Sequence, residues 1–312
     1  MQMQTLRRAI VDDHVRQIGW HDQAEVFASP AGDPGLVGPG SMSWELHSDV
    51  AAVAIGGVAA IVMELLHPSV MAGVQDQSGY RDDPYRRGRT TYGYVVTTTF
   101  GNTDAADRLL RRVKNMHRRV NGVRPDGVPY RALDPELIGW VHTCIPWAVM
   151  RAYERFGRPL EIHEKDRYLA EQAVIGRKSG AEDIPETQRD LDDYVEAMRP
   201  RLAVTEQTRE FFDFLLTGPF GFTVPGPLAR PSRQFQVEGA MSLMPKWARR
   251  LSGFEHSSST QRLLYDPPMR AYARSLRWAF GVPPFLALAQ QRVGSAVNAT
   301  AGATVVEGEC AS

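Results

Sequence analysis

The chain has 312 residues, room for one large domain or two small ones, and 43% of them are apolar, which excludes a globally disordered protein. Lys plus Arg and Asp plus Glu number 36 each, and the resulting zero charge removes the simplest argument for a nucleic-acid partner. Two cysteines, Cys144 and Cys310, exclude a disulfide framework or a zinc-knuckle array and fit a reducing cytoplasm.

The first 28 residues offer one helix around Ile10 to Phe27, and they lack the long apolar run of a secretory signal. Ser29 to Ser41, with Pro30, Pro34, Pro39 and four glycines, reads as a loop. Val50 to Leu66 is apolar on nearly every face. It carries two glycines and a glutamate and falls short of the roughly 20 apolar residues of a membrane span, so it is expected as a buried core helix. Pro68 ends or kinks it.

Gln75 to Arg89 is polar, with the cluster Arg81, Asp82, Asp83, Pro84, Arg86, Arg87 and Arg89. Thr90 to Phe100 has the Thr, Tyr and Val content of a strand. Nothing nearby offers a partner strand, and an isolated strand is not stable, so a buried helix is the preferred reading.

Gly101-Asn102 breaks the chain, and Thr103 to Val120 then repeats apolar residues at three- and four-residue steps, with Thr103 or Asp104 as cap. Ala106, Leu109, Leu110, Val113, Met116, His117 and Val120 share one face of an otherwise basic helix. His117 in that stripe has two readings: a core histidine bonded to a neighbour, or a neutral imidazole ligating a metal.

A Gly/Pro turn follows from Asn121 to Pro129. Asp134-Pro135 opens a helix that ends at Gly157 and contains Pro146 and His142. His142 has the same two readings as His117, the bland one being a bond to a backbone carbonyl. Further helices fit Pro159 to Gly176, Gln188 to Met198, Thr205 to Leu216, Gln234 to Leu251, Ser258 to Leu264 and Pro268 to Phe280. His163 stands among acids as a surface residue, and His14, His21, His47 and His256 show no constellation.

Long helical periods and few alternating runs predict an all-α chain with one large domain. The division expected is an N-terminal helix and loop over 1–40, a helical domain over 41–285 and a flexible tail over 286–312.

Common catalytic motifs are absent: no HExxH, CxxC, P-loop, GxGxxG or GxSxG. Glu64-Leu-Leu-His67 has the i, i+3 spacing of carboxylate di-iron bundles, which use two copies, and no second copy is present. The arginine cluster is either a solvated loop or a cationic lip for carboxylates. In the second reading Arg86-x-x-Arg89-Thr90, followed 27 residues after Thr90 by His117, sets cation and hydroxyl across a pocket from a ligand.

Several runs in order carry a resemblance. They are DPYRRGRT (Asp83 to Thr90), TTTFG (Thr97 to Gly101), the run from Arg112 to Gly122 around His117, Tyr130 to Pro135, WVHTC (Trp140 to Cys144) and AYERFGRPL (Ala152 to Leu160). Together, over roughly residues 40 to 280, they resemble the catalytic domain of the MpaB and rubber-oxygenase (latex clearing protein) family.

The resemblance implies an all-helical fold with a globin-like core and a b-type haem whose iron is held by a histidine, which maps onto His117. It also implies a distal Arg-x-x-Lys-Thr element, read here as Arg86-x-x-Arg89-Thr90 with arginine in place of lysine. Arginine does not readily lose its proton to become a neutral ligand, so neither rubber cleavage nor a lysine-ligated resting state is expected.

The function expected is a haem-dependent oxygenase using O₂ on a hydrophobic small molecule, an isoprenoid or a secondary metabolite. Arg86, Arg89 and Thr90 are the expected catalytic group, and His117, Arg86 and His142 the cofactor contacts. A non-enzymatic haem or lipid-like carrier and a di-iron oxygenase built on Glu64 and His67 are the rivals.

Overall fold

A computed structural model describes residues 3–5, 7–8, 11, 24–218, 229–254 and 260–294. The predicted helix over Ile10 to Phe27 therefore lies largely outside the described residues; its end is α1, Ala24–Ala28. The loop after it is as expected, with Gly32, Gly35, Gly38 and Gly40 all at positive φ.

Two short steps then enter the core. α2 (Met42–Ser48) is capped by Ser41, whose hydroxyl accepts from Trp44 N. Asp49 ends it and caps α3 (Val50–Leu65) by accepting from the amides of Ala51 and Ala52. α3 is buried along most of its length, as its all-round apolar sequence requires. α2 and α3 meet at an 87° bend, and no single helix among the described residues is long and apolar enough to cross a membrane.

α4 (Pro68–Gln77) follows at once, with His67 Nδ1 accepting from Ser69 N at its start. α5 spans Pro84–Phe100, with Asp83 accepting from Arg86 N and proline at its first turn. The preferred helix over Thr90 to Phe100 is thus present, and it starts six residues earlier than expected. Arg86, Arg87 and Arg89 of the cluster lie in its first turns, while Arg81 and Asp82 stay in the turn before it.

The chain turns back at Gly101. The cap of α6 (Thr103–His117) is Asn102, whose side chain accepts from Ala105 N, in place of Thr103 or Asp104. The expected apolar face holds for Ala106 and Leu110, which are buried, but Met116 is 53% exposed because the last turn runs past the core. The predicted turn after it is a hairpin, Asn121–Val123 paired antiparallel with Pro129–Arg131. It docks on α4 through Tyr130, whose hydroxyl donates to Asp76 at 2.6 Å.

α7 (Pro135–Phe156) is capped by Asp134 and keeps Pro146 inside it. It crosses α3 closely. A Cβ on Gly56 would lie 2.9 Å from the Val149 Cα and 3.0 Å from the Ala148 backbone, so only glycine fits there. α8 (Ile162–Ser179), α9 (Gln188–Met198) and α10 (Glu206–Thr217) follow near their predicted places.

The predicted helix Gln234 to Leu251 is two: α11 (Ala229–Met241) and α12 (Lys246–Leu251), separated at Pro245. The predicted helix Ser258 to Leu264 lies partly outside the described residues; its remainder is a π-helical turn, Gln261–Tyr265, leading into α13 (Asp266–Phe280).

The main core gathers α3, α7 and the inner faces of α8, α10, α11 and α13. A smaller cluster joins Phe27, Trp44, Val96 and Phe100 to Phe285 and Ala289. The last two belong to α14, residues 284–294. Residues 286–294, assigned to the tail by sequence, are therefore part of the fold. Arg292 pins them: it is 1% exposed and donates to the carbonyls of Asp33, Phe27 and Phe100 at 2.8, 3.1 and 3.0 Å.

Candidate functional site

The α5 sequence defines one wall of a cavity. With the helix starting at Pro84, positions 84, 87, 88, 91, 92 and 95 fall on one face, and Pro84, Arg87, Gly88, Thr91, Tyr92 and Val95 all line the cavity. α3 supplies the opposite wall from Val53 to Glu64, α7 adds Ile145 and Val149, and Phe211, Phe214, Met269 and Tyr272 close the far side. The centre of a water molecule has about 210 Å³ to move in.

Among the described lining residues only Glu64 and Arg87 are charged. The Glu64 carboxylate has no hydrogen-bond partner among the described residues. Burial pushes its pKa up to about 8, against the pull of Arg87. Burial also lowers the Arg87 guanidinium pKa, and Glu64 opposes that shift. Arg87 Nη1 donates to Thr91 Oγ1 at 2.5 Å, one turn along the same face.

His117 ends α6, which packs against α5. It is half-buried and is not itself a cavity-wall residue. Its imidazole makes no hydrogen bond among the described residues. Burial lowers its pKa, and the nearby Arg87 charge lowers it further, so the ring is neutral near pH 7. Glu64, Arg87 and His117 therefore form one electrostatic group, with Arg87 acting on both others.

The remaining sequence candidates lie elsewhere. Arg86 is exposed and 3.8 Å from Asp83. Arg89 is 4.0 Å from the same carboxylate, and Thr90 donates to the Arg86 carbonyl of its own helix. None of the three is a cavity-wall residue. A helix turns about 100° per residue, so the face one position on, Arg87, Gly88 and Thr91, is the one turned inward.

His142 is buried, and its Nε2 donates to the Gln172 carbonyl at 2.8 Å, the bland alternative of the sequence reading. Its Nδ1 is left without a partner among the described residues. Burial lowers its pKa to about 4. The packing against α8 is tight: a Cβ on Gly176 would meet the ring at 2.7 Å.

His47, without a constellation in the sequence, sits in a buried network. Its Nδ1 and Nε2 lie 2.7 Å from Thr99 Oγ1 and from the Tyr168 hydroxyl. Partners 52 and 121 residues away left no local signal for it. Arg87 and Thr91 do leave one: with Pro84, Gly88, Tyr92 and Val95 they share one face at the 3.6-residue period.

The donor set discriminates between kinds of metal group. Among the described residues no three His, Cys, Asp or Glu side chains converge to hold an ion. Of the pair Glu64 and His67, only Glu64 faces the cavity; the His67 ring caps α4. One unpartnered neutral imidazole beside an apolar cavity with an arginine fits a group that brings its own equatorial ligands, such as haem.

Residues 44–278 match the profile described as ER-bound oxygenase mpaB/B'/rubber oxygenase, catalytic domain, and the chain belongs to that family of oxygenases. Two relatives are the uncharacterized protein Mb2261 of Mycobacterium bovis and the uncharacterized protein Rv2237 of Mycobacterium tuberculosis. Each is 26% identical over 212 residues, which is 65% of this chain and 81% of the relative. No solved structure matches.

Proposed function

We propose that the protein is a haem b-dependent oxygenase that uses O₂ on a hydrophobic small molecule, of the size and polarity of an isoprenoid or a secondary metabolite. The observation that carries it is the apolar cavity with Glu64 and Arg87 as its only charged described walls, beside the unpartnered His117. His117 would hold the iron, and Arg87 is placed to pair with the haem carboxylates or the reacting oxygen. When bound, haem supplies oxygen activation.

The family's Arg-x-x-Lys-Thr element then reads Arg87-x-x-Thr90-Thr91, one position on from the sequence assignment. This register sets the arginine and the final threonine on the cavity wall and gives Thr90 the place of the lysine. Threonine has no amine to offer as a ligand, so Thr90 would not compete with a small molecule for a bound haem.

The walls do the rest. Val53, Ile61, Val95, Val149 and Leu215 exclude water and hold an apolar substrate by its shape. Glu64, with a pKa of about 8, exchanges a proton near neutral pH, and its oxygens face the cavity with no competing donor. It is the group that takes a proton from the substrate or returns one.

Oxygen uptake by haem-loaded protein with an apolar olefin and a reductant tests the reading. Glu64→Gln is expected to lower turnover by about 10²–10⁴-fold with haem content unchanged. Haem binding without any oxygen uptake would make the protein a carrier.

A further inference from the structure

A second cleft lies between the start of α3, the end of α7 and the outer face of α13. Its walls include Glu45, Asp49, Arg158, Arg270, Arg274 and Arg277. The two acids are already used. Asp49 accepts from Arg277 Nε and Nη2 at 2.7–3.1 Å while capping α3. Glu45 accepts from Arg158 at 2.6 Å and from the Tyr153 hydroxyl at 2.7 Å. Arg277 also donates to the Phe156 carbonyl, and Arg158 to Glu164.

Arg270 and Arg274 are different. Both are exposed, one turn apart on α13, and neither meets a hydrogen-bond or ion-pair partner among the described residues. Four arginines against two carboxylates leave the walls with two unneutralised positive charges. Like charges at i, i+4 destabilise a helix, and no acid on α13 offsets them, because Asp266 is held by Arg155. The cleft is about 570 Å³ in volume, and Phe156 and Gly157 also line it.

We infer that this cleft binds the phosphate or diphosphate group of a small molecule or lipid, gripped by the forked guanidinium groups of Arg270 and Arg274. Each fork matches two oxygens of a phosphate, and two forks one turn apart suit a linked pair of phosphates. Arg277 and Arg158, locked by their ion pairs, add positive field without spending their own geometry. The inference stands apart from the cavity between α3 and α5.

Calorimetric titration of the full chain with inorganic pyrophosphate tests it, beside sedimentation with phosphatidylcholine vesicles with and without phosphatidate. The expected result is saturable pyrophosphate binding that weakens at least tenfold in the Arg270→Gln/Arg274→Gln double variant and is unchanged in Arg209→Gln, an exposed arginine on α10. Vesicle capture that needs phosphatidate and the same two arginines, without a response to pyrophosphate, assigns the group to a lipid headgroup. No binding to either probe, or equal weakening in Arg209→Gln, overturns the inference. Circular dichroism of the double variant guards against a folding defect.

Discussion

Glu64 is an acid that folding holds neutral. Its pKa rises from an ordinary 4.5 to about 8 because the cavity walls remove its water faster than Arg87 replaces it. The folded state therefore binds one more proton than the unfolded chain between those values, and stability falls as pH rises through that window. Glu64→Gln removes the titration. Urea melts at pH 5 and pH 8 are expected to show wild type losing stability relative to the variant by on the order of a few kcal/mol, the imidazole contributions being common to both chains. Identical losses would mean that Glu64 is solvated. The same burial acts in the opposite sense on His117, holding its ring neutral and free to bind.

At the scale of elements, α3 and α5 make the cavity, and they were unequally legible. α3 could be read from sequence because an unbroken apolar run leaves few options. α5 was half legible. Its threonine- and tyrosine-rich end reads as helix for want of a partner strand, while the start signal, Asp83-Pro84 as cap and first-turn proline, is masked by the charges around it. The assignment of Arg86, Arg89 and Thr90 rests on the family's Arg-x-x-Lys-Thr element and carries no facing information, whereas the cavity wall takes Arg87, Gly88 and Thr91.

The site's long-range partners were illegible for another reason. His47 meets Thr99 and Tyr168 only after three helices have packed, and no spacing in the chain encodes that. The α3–α7 crossing offers an element-scale test. Gly56→Val drives a branched side chain into the Val149 and Ala148 backbone, which has no rotamer to yield. The expected loss is at least about 2 kcal/mol in a chemical melt. A smaller change would mean that the crossing is looser than described.

For the whole molecule, three buried imidazoles set the acid limit. Burial lowers His47 to about 3, His67 to about 4 and His142 to about 4, from an ordinary 6.5. The unfolded chain takes up protons there that the folded chain refuses, so their contribution is whole above pH 6.5 and is lost as pH falls toward 4. Glu64 acts in the other direction on the alkaline side. The melting temperature is therefore expected to fall on both sides of a maximum near neutrality, and His47→Gln should flatten the acid limb. An acid limb unchanged in that variant would place the titration elsewhere.

His117 is the proposed ligand of the haem, and the absorbance spectrum after haemin loading tests this most directly. Wild type is expected to show a Soret band that shifts with dithionite, and His117→Ala, folded by circular dichroism, is expected to lose it. A mutant that keeps the wild-type band, or a wild-type chain that takes up no haemin, would contradict the assignment.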